Sequence, residues 1–278
     1  MLPNFIVPGA PRCGTTWLYD CFCEHPDIYV PEIKEVRFFS RDYEKGISYY
    51  ETHFAGWKGE KAVGELSPTY MDHSEVPKRI YELNPAMKLI FSFRNPVERA
   101  YSDYCAALFR KAIDSNIDEA LKEDSIIIQR SMYFKYLQRF IKLFPRENIK
   151  VMIFEDIKRG PDSYLADVFA FLEVDANFRP STMLTVSNRR RPRQKSRSLI
   201  RVKNFIRENL LGGGKAGAAI ARRLRKSGAG ELFFKLNRGK EYPELSPAKR
   251  AELNQIFKSD VEGLSEFAGR DLTFWFKN

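Results

Sequence analysis

Residues 5–18 read Phe5-Ile6-Val7-Pro8-Gly9-Ala10-Pro11-Arg12-Cys13-Gly14-Thr15-Thr16-Trp17-Leu18. The apolar start predicts a buried strand, and the Gly- and Pro-rich residues after it predict a turn. A helix is expected next, because Trp17, Leu18, Cys21 and Phe22 recur at helical spacing. Backbone N–H groups of such a turn and the positive end of the helix dipole converge on one point. The segment therefore predicts an anion-binding loop, and a strand-to-helix turn without a ligand is the alternative.

The segment from Gly9 to Thr16 differs at one position from the loop that binds nucleoside triphosphates. In that loop, G-x-x-x-x-G-K-[ST], the lysine reaches the β- and γ-phosphates, and here Thr15 stands in its place. This difference argues against hydrolysis of ATP or GTP. We expect another anionic ligand, held by the Arg12 guanidinium and by hydroxyl and backbone donors of the loop.

A second group of polar residues follows the clearest strand of the sequence, Lys88-Leu89-Ile90-Phe91-Ser92-Phe93. Arg94 ends this strand, and Ser102 lies about two turns into the helix that follows. A guanidinium and a hydroxyl at this spacing could hold one phosphate group. Arg99 is expected to project elsewhere, as a surface charge paired with Glu98 or Asp103.

Five apolar stretches, the second of them short, predict the strands of a sheet. They are residues 5–9, 28–30, 62–70, 88–94 and 149–156. Helical patterns separate them, so we expect an α/β fold with a P-loop-like, mostly parallel central sheet and helices on both faces. Arg12, Glu65 and Arg94 come at or just beyond strand ends, which predicts that they share one edge of the sheet.

The length and composition indicate one domain over residues 1–278, since 44% of the residues are hydrophobic. The sequence has no run of eighteen apolar residues, and no charged and apolar leader precedes the first strand. We expect a cytoplasmic protein if the chain is complete. A lumenal catalytic domain of a membrane-anchored protein is the alternative.

The cysteines show no spacing typical of a zinc site, so no bound metal is expected and reduced thiols are predicted. They are Cys13, Cys21, Cys23 and Cys105. Cys13 lies at the predicted helix N-terminus, where the pKa of a thiol can be lowered. The alternative, which we favour, is that Cys13 is a small loop residue.

Positive charge is concentrated in one segment. The net charge is +10, but residues 189–226 hold fourteen basic residues and one acidic residue, so this segment carries +13 and the rest of the chain −3. It belongs to a region, residues 185–240, that breaks the strand–helix rhythm, and we predict a flexible, lid-like insertion there. Its charge could attract an anionic acceptor or membrane surface, or could neutralise the ligand of the loop.

The anion-binding loop and the group that contains Arg94 and Ser102 together resemble motifs of the sulfotransferases that use 3′-phosphoadenosine 5′-phosphosulfate (PAPS). The chain is most similar to the carbohydrate-type members, such as the heparan sulfate sulfotransferases and their bacterial relatives. Residues 11–18 resemble the 5′-phosphosulfate loop of that family, and residues 94–102 resemble its 3′-phosphate motif. Further similarity lies in residues 25–27, 34–39, 65–70, 144–147 and 269–272.

The resemblance implies transfer of a sulfuryl group from PAPS, without a metal ion, to a hydroxyl of a glycan, glycolipid or other hydroxylated metabolite. It implies that Glu35 is the general base. Lys34 could contact the transferring group in catalysis, and a place in solvent is the alternative. Cytosolic small-molecule sulfotransferases use histidine as the base, so His73 is the reserve candidate. The resemblance also implies that Arg12, which stands where many members carry lysine, acts in catalysis as well as in binding.

The implied contacts to PAPS come from the loop, the second cluster and a late loop that closes over the nucleotide in the family. They are Arg12, Cys13, Gly14, Thr15, Thr16, Trp17, Arg94, Ser102 and Arg193. Lys195 and Arg197 lie beside Arg193 and are further candidates.

Two other function classes remain open on the residues alone. A nucleotide or small-molecule kinase would use the same loop, but Thr15 counts against it, and Glu155 and Asp156 are its only evident candidates for a magnesium carboxylate. A nucleic-acid-binding protein would use residues 189–226. Few aromatic residues accompany that charge and no known nucleic-acid module is visible, so we expect no nucleic-acid partner.

Overall fold

The computed structural model describes residues 1–110, 112–113, 116–185 and 241–277. Within these residues five parallel strands form one sheet. The strands are β1 (Phe5–Gly9), β2 (Ile28–Tyr29), β3 (Ala62–Leu66), β4 (Lys88–Phe93) and β5 (Ile149–Ile153). Their order across the sheet is β2-β3-β1-β4-β5, so β1 is the central strand.

Helices connect the strands and cover both faces of the sheet. They are α1 (Thr15–Phe22), α2 (Ile47–Thr52), α3 (Val76–Leu83), α4 (Pro96–Arg110), α5 (Ile117–Ala120), α6 (Ile126–Gln129), α7 (Tyr133–Ile141), α8 (Asp156–Arg159), α9 (Pro161–Phe171) and α10 (Pro247–Ala268). Short helical turns occur at Phe38–Asp42, Tyr43–Lys45, Pro68–Asp72, Arg146–Asn148, Ser181–Leu184 and Thr273–Phe276. In the described ranges, no helix combines the length and apolar character required to span a bilayer.

The side chains of β1 alternate between two hydrophobic cores, as expected for a strand buried on both faces. Phe5 and Val7 pack with side chains of α1 and α9 on one face of the sheet. Ile6 belongs to the larger core on the other face, which α3, α4, α7 and α10 cover. The predicted α/β fold with a parallel sheet and helices on both faces is confirmed.

Two predicted strands end earlier than the sequence suggested. The stretch 62–70 leaves the sheet after Leu66, because Pro68 begins a short helical turn there. The stretch 149–156 ends at Ile153, and α8 begins three residues later at Asp156. With β3 ending at Leu66, Glu65 lies one residue before the end of the strand.

The predicted insertion at residues 185–240 lies, apart from Thr185, outside the described residues. The basic residues 189–226 lie entirely within that part of the chain. The assignment of residues 1–278 to one domain therefore stays a prediction.

Candidate active site

Residues 10–14 connect β1 to α1, as the sequence predicted. Arg12 and Gly14 have positive φ angles of 73° and 84°. A Cβ atom at Gly14 would come within 2.8 Å of the Phe154 ring, so glycine is required there. The Leu18 N–H makes the first bond of the helix, to the Gly14 carbonyl (3.1 Å). The N–H groups before Leu18 have no acceptor within the helix and can bind an anion; they belong to the predicted contacts Thr15, Thr16 and Trp17.

Arg99 supports the loop from inside the protein and is fully buried. Its Nε donates to the Pro11 carbonyl (3.3 Å), and its Nη1 donates to the Ile127 carbonyl (2.9 Å) and Ser131 Oγ (3.1 Å). Its Nη2 donates to Asp103 Oδ2 (3.2 Å). The prediction that Arg99 is a surface charge was wrong, although the pairing with Asp103 was expected. Acceptors from other segments replace the hydration that this guanidinium loses on burial.

Cys13 points into the core. Its side chain is fully buried, and its Sγ lies 3.7 Å from the Tyr133 hydroxyl. Its carbonyl accepts a hydrogen bond from Ser92 Oγ (2.7 Å). Burial raises the pKa of the Cys13 thiol to about 11, which supports a small loop residue over an activated thiol. Any contact between Cys13 and a ligand would come from its backbone.

We expect iodoacetamide at mildly alkaline pH to modify Cys23 of the native protein and to spare Cys13. The thiolate is the reactive form, and Cys13 is buried whereas Cys23 is exposed. Mass spectrometry after timed reaction measures both sites, and the same reaction in guanidinium chloride, where Cys13 must react, is the control. Equal rates at both sites in the native protein would contradict this placement.

Arg12 and Ser102 lie together, although 90 positions separate them in the sequence. The Arg12 Nε donates to Ser102 Oγ at 3.2 Å. The Ser102 hydroxyl accepts in this bond and keeps its own hydrogen for another acceptor. The two predicted phosphate-binding motifs are therefore adjacent in the structure.

Arginine side chains concentrate positive charge around this bond. Desolvation lowers the pKa of Arg12, although its side chain reaches solvent, and the charges of Arg110, Arg99 and Arg94 lower it further. Asp103 opposes these effects. An arginine stays protonated at neutral pH under such a shift, so the field at this edge of the sheet favours an anion.

Arg94 lies directly after β4, as predicted. Its Nη2 is 3.5 Å from Glu98 Oε2, and its guanidinium lies 5.1 Å from the centre of the Phe154 ring. Glu98 also accepts a hydrogen bond from Arg250 Nη2 (2.7 Å), so it divides its charge between two arginines. Arg94 therefore retains positive charge that a ligand can use.

Glu35 lies in a cluster of charges that follows β2. Its Oε2 pairs with Arg37 Nη2, and its Oε1 is 3.6 Å from Lys34 Nζ. Glu35 and Arg37 have φ angles of 65° and 60°, a conformation that residues other than glycine rarely adopt. Burial lowers the pKa of Lys34, and Glu35 opposes this shift. The predicted base is therefore held between two cations, and its partners are Lys34 and Arg37 rather than Arg12.

The segment that carries Glu35 is attached to α1. The Tyr19 hydroxyl donates to the Pro31 carbonyl (2.8 Å) and approaches the Glu32 carbonyl (3.1 Å). Since the anion-binding loop leads into the first turn of the same helix, α1 links the two predicted parts of the site.

The histidine side chains lie in different surroundings. His25 is buried, its Nδ1 accepts from the Asp27 N–H (3.1 Å), and its Nε2 is 3.1 Å from the Asp175 carbonyl. Both ring nitrogens of His25 therefore have backbone partners, one in the local turn and one in a distant segment. The reserve base, His73, is exposed. In the described part of the chain, His, Cys, Asp and Glu side chains form no group of three or more that could hold a metal ion.

Three predicted contacts lie outside the described residues: Arg193, Lys195 and Arg197. The residues that flank the range 186–240 on either side make hydrogen bonds to α1 and α4, the two helices that carry predicted site residues. The Trp17 indole is buried and donates to the Met183 carbonyl (3.1 Å), and the Tyr101 hydroxyl donates to the Pro243 carbonyl (3.0 Å). Any contact of Trp17 with an anion at the loop would therefore come from its backbone N–H.

Comparison with known proteins identifies the family. A family model described as a sulfotransferase domain matches residues 2–265. The chain belongs to the sulfotransferase family. This membership confirms the predicted resemblance and counts against the kinase and nucleic-acid-binding alternatives.

Curated sulfotransferases with related sequences include enzymes named for heparan sulfate. The chain is 34% identical over 166 residues to human heparan sulfate glucosamine 3-O-sulfotransferase 5. The aligned residues cover 54% of this chain and 47% of that protein. It is 37% identical over 106 residues to the membrane-associated sulfotransferase kil1 of Dictyostelium discoideum, covering 37% of this chain and 22% of that protein. The chain thus spans less than half the length of these relatives.

A solved bacterial sulfotransferase matches along nearly the whole chain. The crystal structure of a sulfotransferase from Alicyclobacillus acidocaldarius aligns with a TM-score of 0.72 and 26% identity, and covers 99% of each chain. This likeness agrees with the parallel sheet and the helical layers of the sulfotransferase fold described above.

Sequence reasoning missed the buried role of Arg99, and it placed Glu65 at the sheet edge without its hydroxyl partners. Arg99 and Glu65 are both buried charges, at 0% and 1% exposure. The burial of Arg99 could have been suspected from Asp103, a possible ion-pair partner one helical turn later in the sequence. The hydrogen bonds of Glu65 could have been suspected from the neighbouring Ser67 and Tyr70, whose hydroxyls can donate to a carboxylate.

Proposed function

We propose that the protein transfers a sulfuryl group from PAPS to a hydroxyl group of a glycan. Family membership supports sulfuryl transfer, and the relatives named for heparan sulfate support a glycan acceptor. The observation that carries the choice of donor is the Arg12–Ser102 hydrogen bond, which unites two phosphate-binding motifs in one cationic site. PAPS fits such a site because it is anionic at both its 5′ and its 3′ positions.

In this proposal PAPS supplies the sulfuryl group, and 3′-phosphoadenosine 5′-phosphate (PAP) is the leaving product. The acceptor oxygen forms a bond to sulfur while the bond from sulfur to the bridging oxygen breaks, and that oxygen keeps the electron pair. Glu35 takes the proton from the acceptor hydroxyl. Arg12 and the N–H groups at the start of α1 stabilise the charge that develops on the bridging oxygen. Lys34 contacts the transferring group.

Arg94 and Ser102 bind the 3′-phosphate through a guanidinium and a hydroxyl. An anionic or lipid-linked acceptor would use the charge of residues 189–226, directly or through contact with a membrane surface. The use of an anionic or lipid-linked acceptor stays a prediction. The cytoplasmic location and the contact of Arg193 with PAPS also stay predictions.

We expect the protein to bind PAP in the presence of EDTA, and the substitution Arg94→Ala to weaken this binding about 10- to 100-fold. A hydrogen bond between charged groups contributes about 1.5–3 kcal/mol, which corresponds to that range. Isothermal titration calorimetry measures both dissociation constants.

The matched control is Arg159→Ala. Arg159 also pairs with a carboxylate at 3.5 Å, that of Asp156, but its side chain is 62% exposed. This variant should bind PAP within about twofold of the wild type, because an exposed ion pair contributes little. Preference of the wild type for ATP with magnesium over PAP would overturn the proposed function.

A further inference from the structure

Glu65 is a buried carboxylate that accepts hydrogen bonds from three hydroxyl groups and from the backbone of Val36. It belongs to β3 and is 1% exposed. Its Oε1 accepts from the Tyr50 hydroxyl (2.7 Å) and the Tyr70 hydroxyl (2.8 Å), and its Oε2 accepts from Ser67 Oγ (2.6 Å). Among the described residues, no lysine, arginine or histidine lies within ion-pair distance of it.

Two of these hydroxyls also bind the backbone that follows Glu35. Ser67 Oγ accepts the N–H of Arg37 (3.1 Å), and the Tyr70 hydroxyl accepts the N–H of Phe39 (3.2 Å). A backbone N–H can only donate, so each hydroxyl oxygen is the acceptor in these bonds and directs its own hydrogen to Glu65. The carboxylate thereby sets the direction of both hydrogen-bond chains.

The backbone held in this way is conformationally unfavourable. Glu35 and Arg37 both have positive φ, which non-glycine residues adopt only where surrounding contacts maintain it. The neighbouring Phe38 and Phe39 side chains are fully buried, and their packing also holds this segment.

A purely structural role would not require a carboxylate at position 65. Burial of a charge without a cation costs free energy and raises the pKa of Glu65, although the bonds from Ser67, Tyr50 and Tyr70 oppose this rise. An apolar side chain would fill the same space in β3 without that cost. What it could not do is orient two hydroxyls toward the N–H groups of residues 37 and 39.

We propose that Glu65 is a positioning residue that, through Ser67 and Tyr70, fixes the backbone after Glu35 and so the direction of the Glu35 carboxylate. The inference rests on the proposed function, in which Glu35 takes the proton of the acceptor hydroxyl. Misplacement of a reacting group by about 1 Å can cost about 100-fold in rate, so anchoring of this segment has a measurable consequence.

The substitutions Tyr70→Phe and Tyr50→Phe separate positioning from stability. Both remove one hydrogen bond to Glu65 Oε1 from a fully buried ring, but only Tyr70 also accepts the Phe39 N–H. We expect Tyr70→Phe to lower kcat at least about tenfold, with KM for PAPS and the dissociation constant of PAP unchanged. Tyr50→Phe should keep kcat within about twofold of the wild type. Ser67→Ala, which removes the acceptor of the Arg37 N–H, should behave like Tyr70→Phe.

Hydrogen–deuterium exchange of the peptide that contains residues 36–39 tests the same anchoring without an acceptor substrate. Exchange should be faster in Tyr70→Phe and Ser67→Ala than in the wild type, and unchanged in Tyr50→Phe. Equal exchange and equal kcat in Tyr70→Phe and Tyr50→Phe would overturn the inference. Absence of sulfuryl transfer by the wild type would instead overturn the proposed function, while the exchange experiment would still decide whether the segment is anchored.

Discussion

Replacement of Glu35 by glutamine is expected to lower kcat for sulfuryl transfer by about two to four orders of magnitude, the range typical for loss of a general base. Glutamine keeps the size of the side chain but cannot take a proton from the acceptor. The dissociation constant of PAP should change by less than about twofold, because Glu35 pairs with Lys34 and Arg37 rather than with Arg12. Transfer of label from PAPS and calorimetry with PAP measure the two quantities.

The matched control for this prediction is Glu32→Gln, which makes the same change of charge three positions earlier in the same segment. Glu32 is exposed, and its described bond is the one from the Tyr19 hydroxyl to its carbonyl, which the substitution keeps. This variant should retain the kcat of the wild type. Undiminished transfer by Glu35→Gln would show that the base lies elsewhere, and His73→Gln would then be the variant to measure.

Replacement of Arg99 by methionine is expected to lower the free energy of unfolding by about 3–5 kcal/mol, as is usual when one member of a buried ion pair is removed. Methionine fills much of the space but leaves the Pro11 carbonyl and Asp103 without the donors of Arg99. Since the Pro11 carbonyl belongs to the anion-binding loop, the stabilisation by added PAP should also decrease. Chemical denaturation with and without PAP measures both effects.

The matched control for Arg99→Met is the substitution Arg159→Met, which removes one member of an exposed ion pair. Arg159→Met removes an arginine that pairs with Asp156 three positions earlier, just as Arg99 pairs with Asp103 four positions later. The free energy of unfolding should change by less than about 1 kcal/mol, as is usual for exposed pairs. A loss of similar size in both variants would mean that the bonds of Arg99 to the loop contribute little.

The parts of the site that the sequence revealed are those that local pattern encodes. The apolar run before Gly9 and the glycine at position 14 indicated the strand and the turn, and Arg94 was visible because it ends an apolar strand. The rule that parallel strands collect ligands at one edge of the sheet predicted that Arg12 and Arg94 share this edge, but not the bond from Arg12 to Ser102. Each inference needed only neighbouring residues and a general rule of topology.

The burial of Arg99 and the hydroxyl partners of Glu65 could not be predicted in this way, because distant segments decide them. Arg99 is buried by acceptors at Ile127 and Ser131, more than 25 positions further along the chain. Glu65 depends on Tyr50, which α2 brings to β3. No periodicity in the sequence reports such contacts. A charged residue in an amphipathic pattern is otherwise read as exposed.

The strand order divides the proposed site along β1. Glu65 on β3 lies on one side of the central strand and Arg94 at the end of β4 on the other. Among the described residues the two share no hydrogen-bond partner, so substitutions near one should add to those near the other in their effects on stability and on PAP binding. In the proposed function, changes around β3 can therefore alter the segment that carries the base without altering the contacts proposed for PAPS.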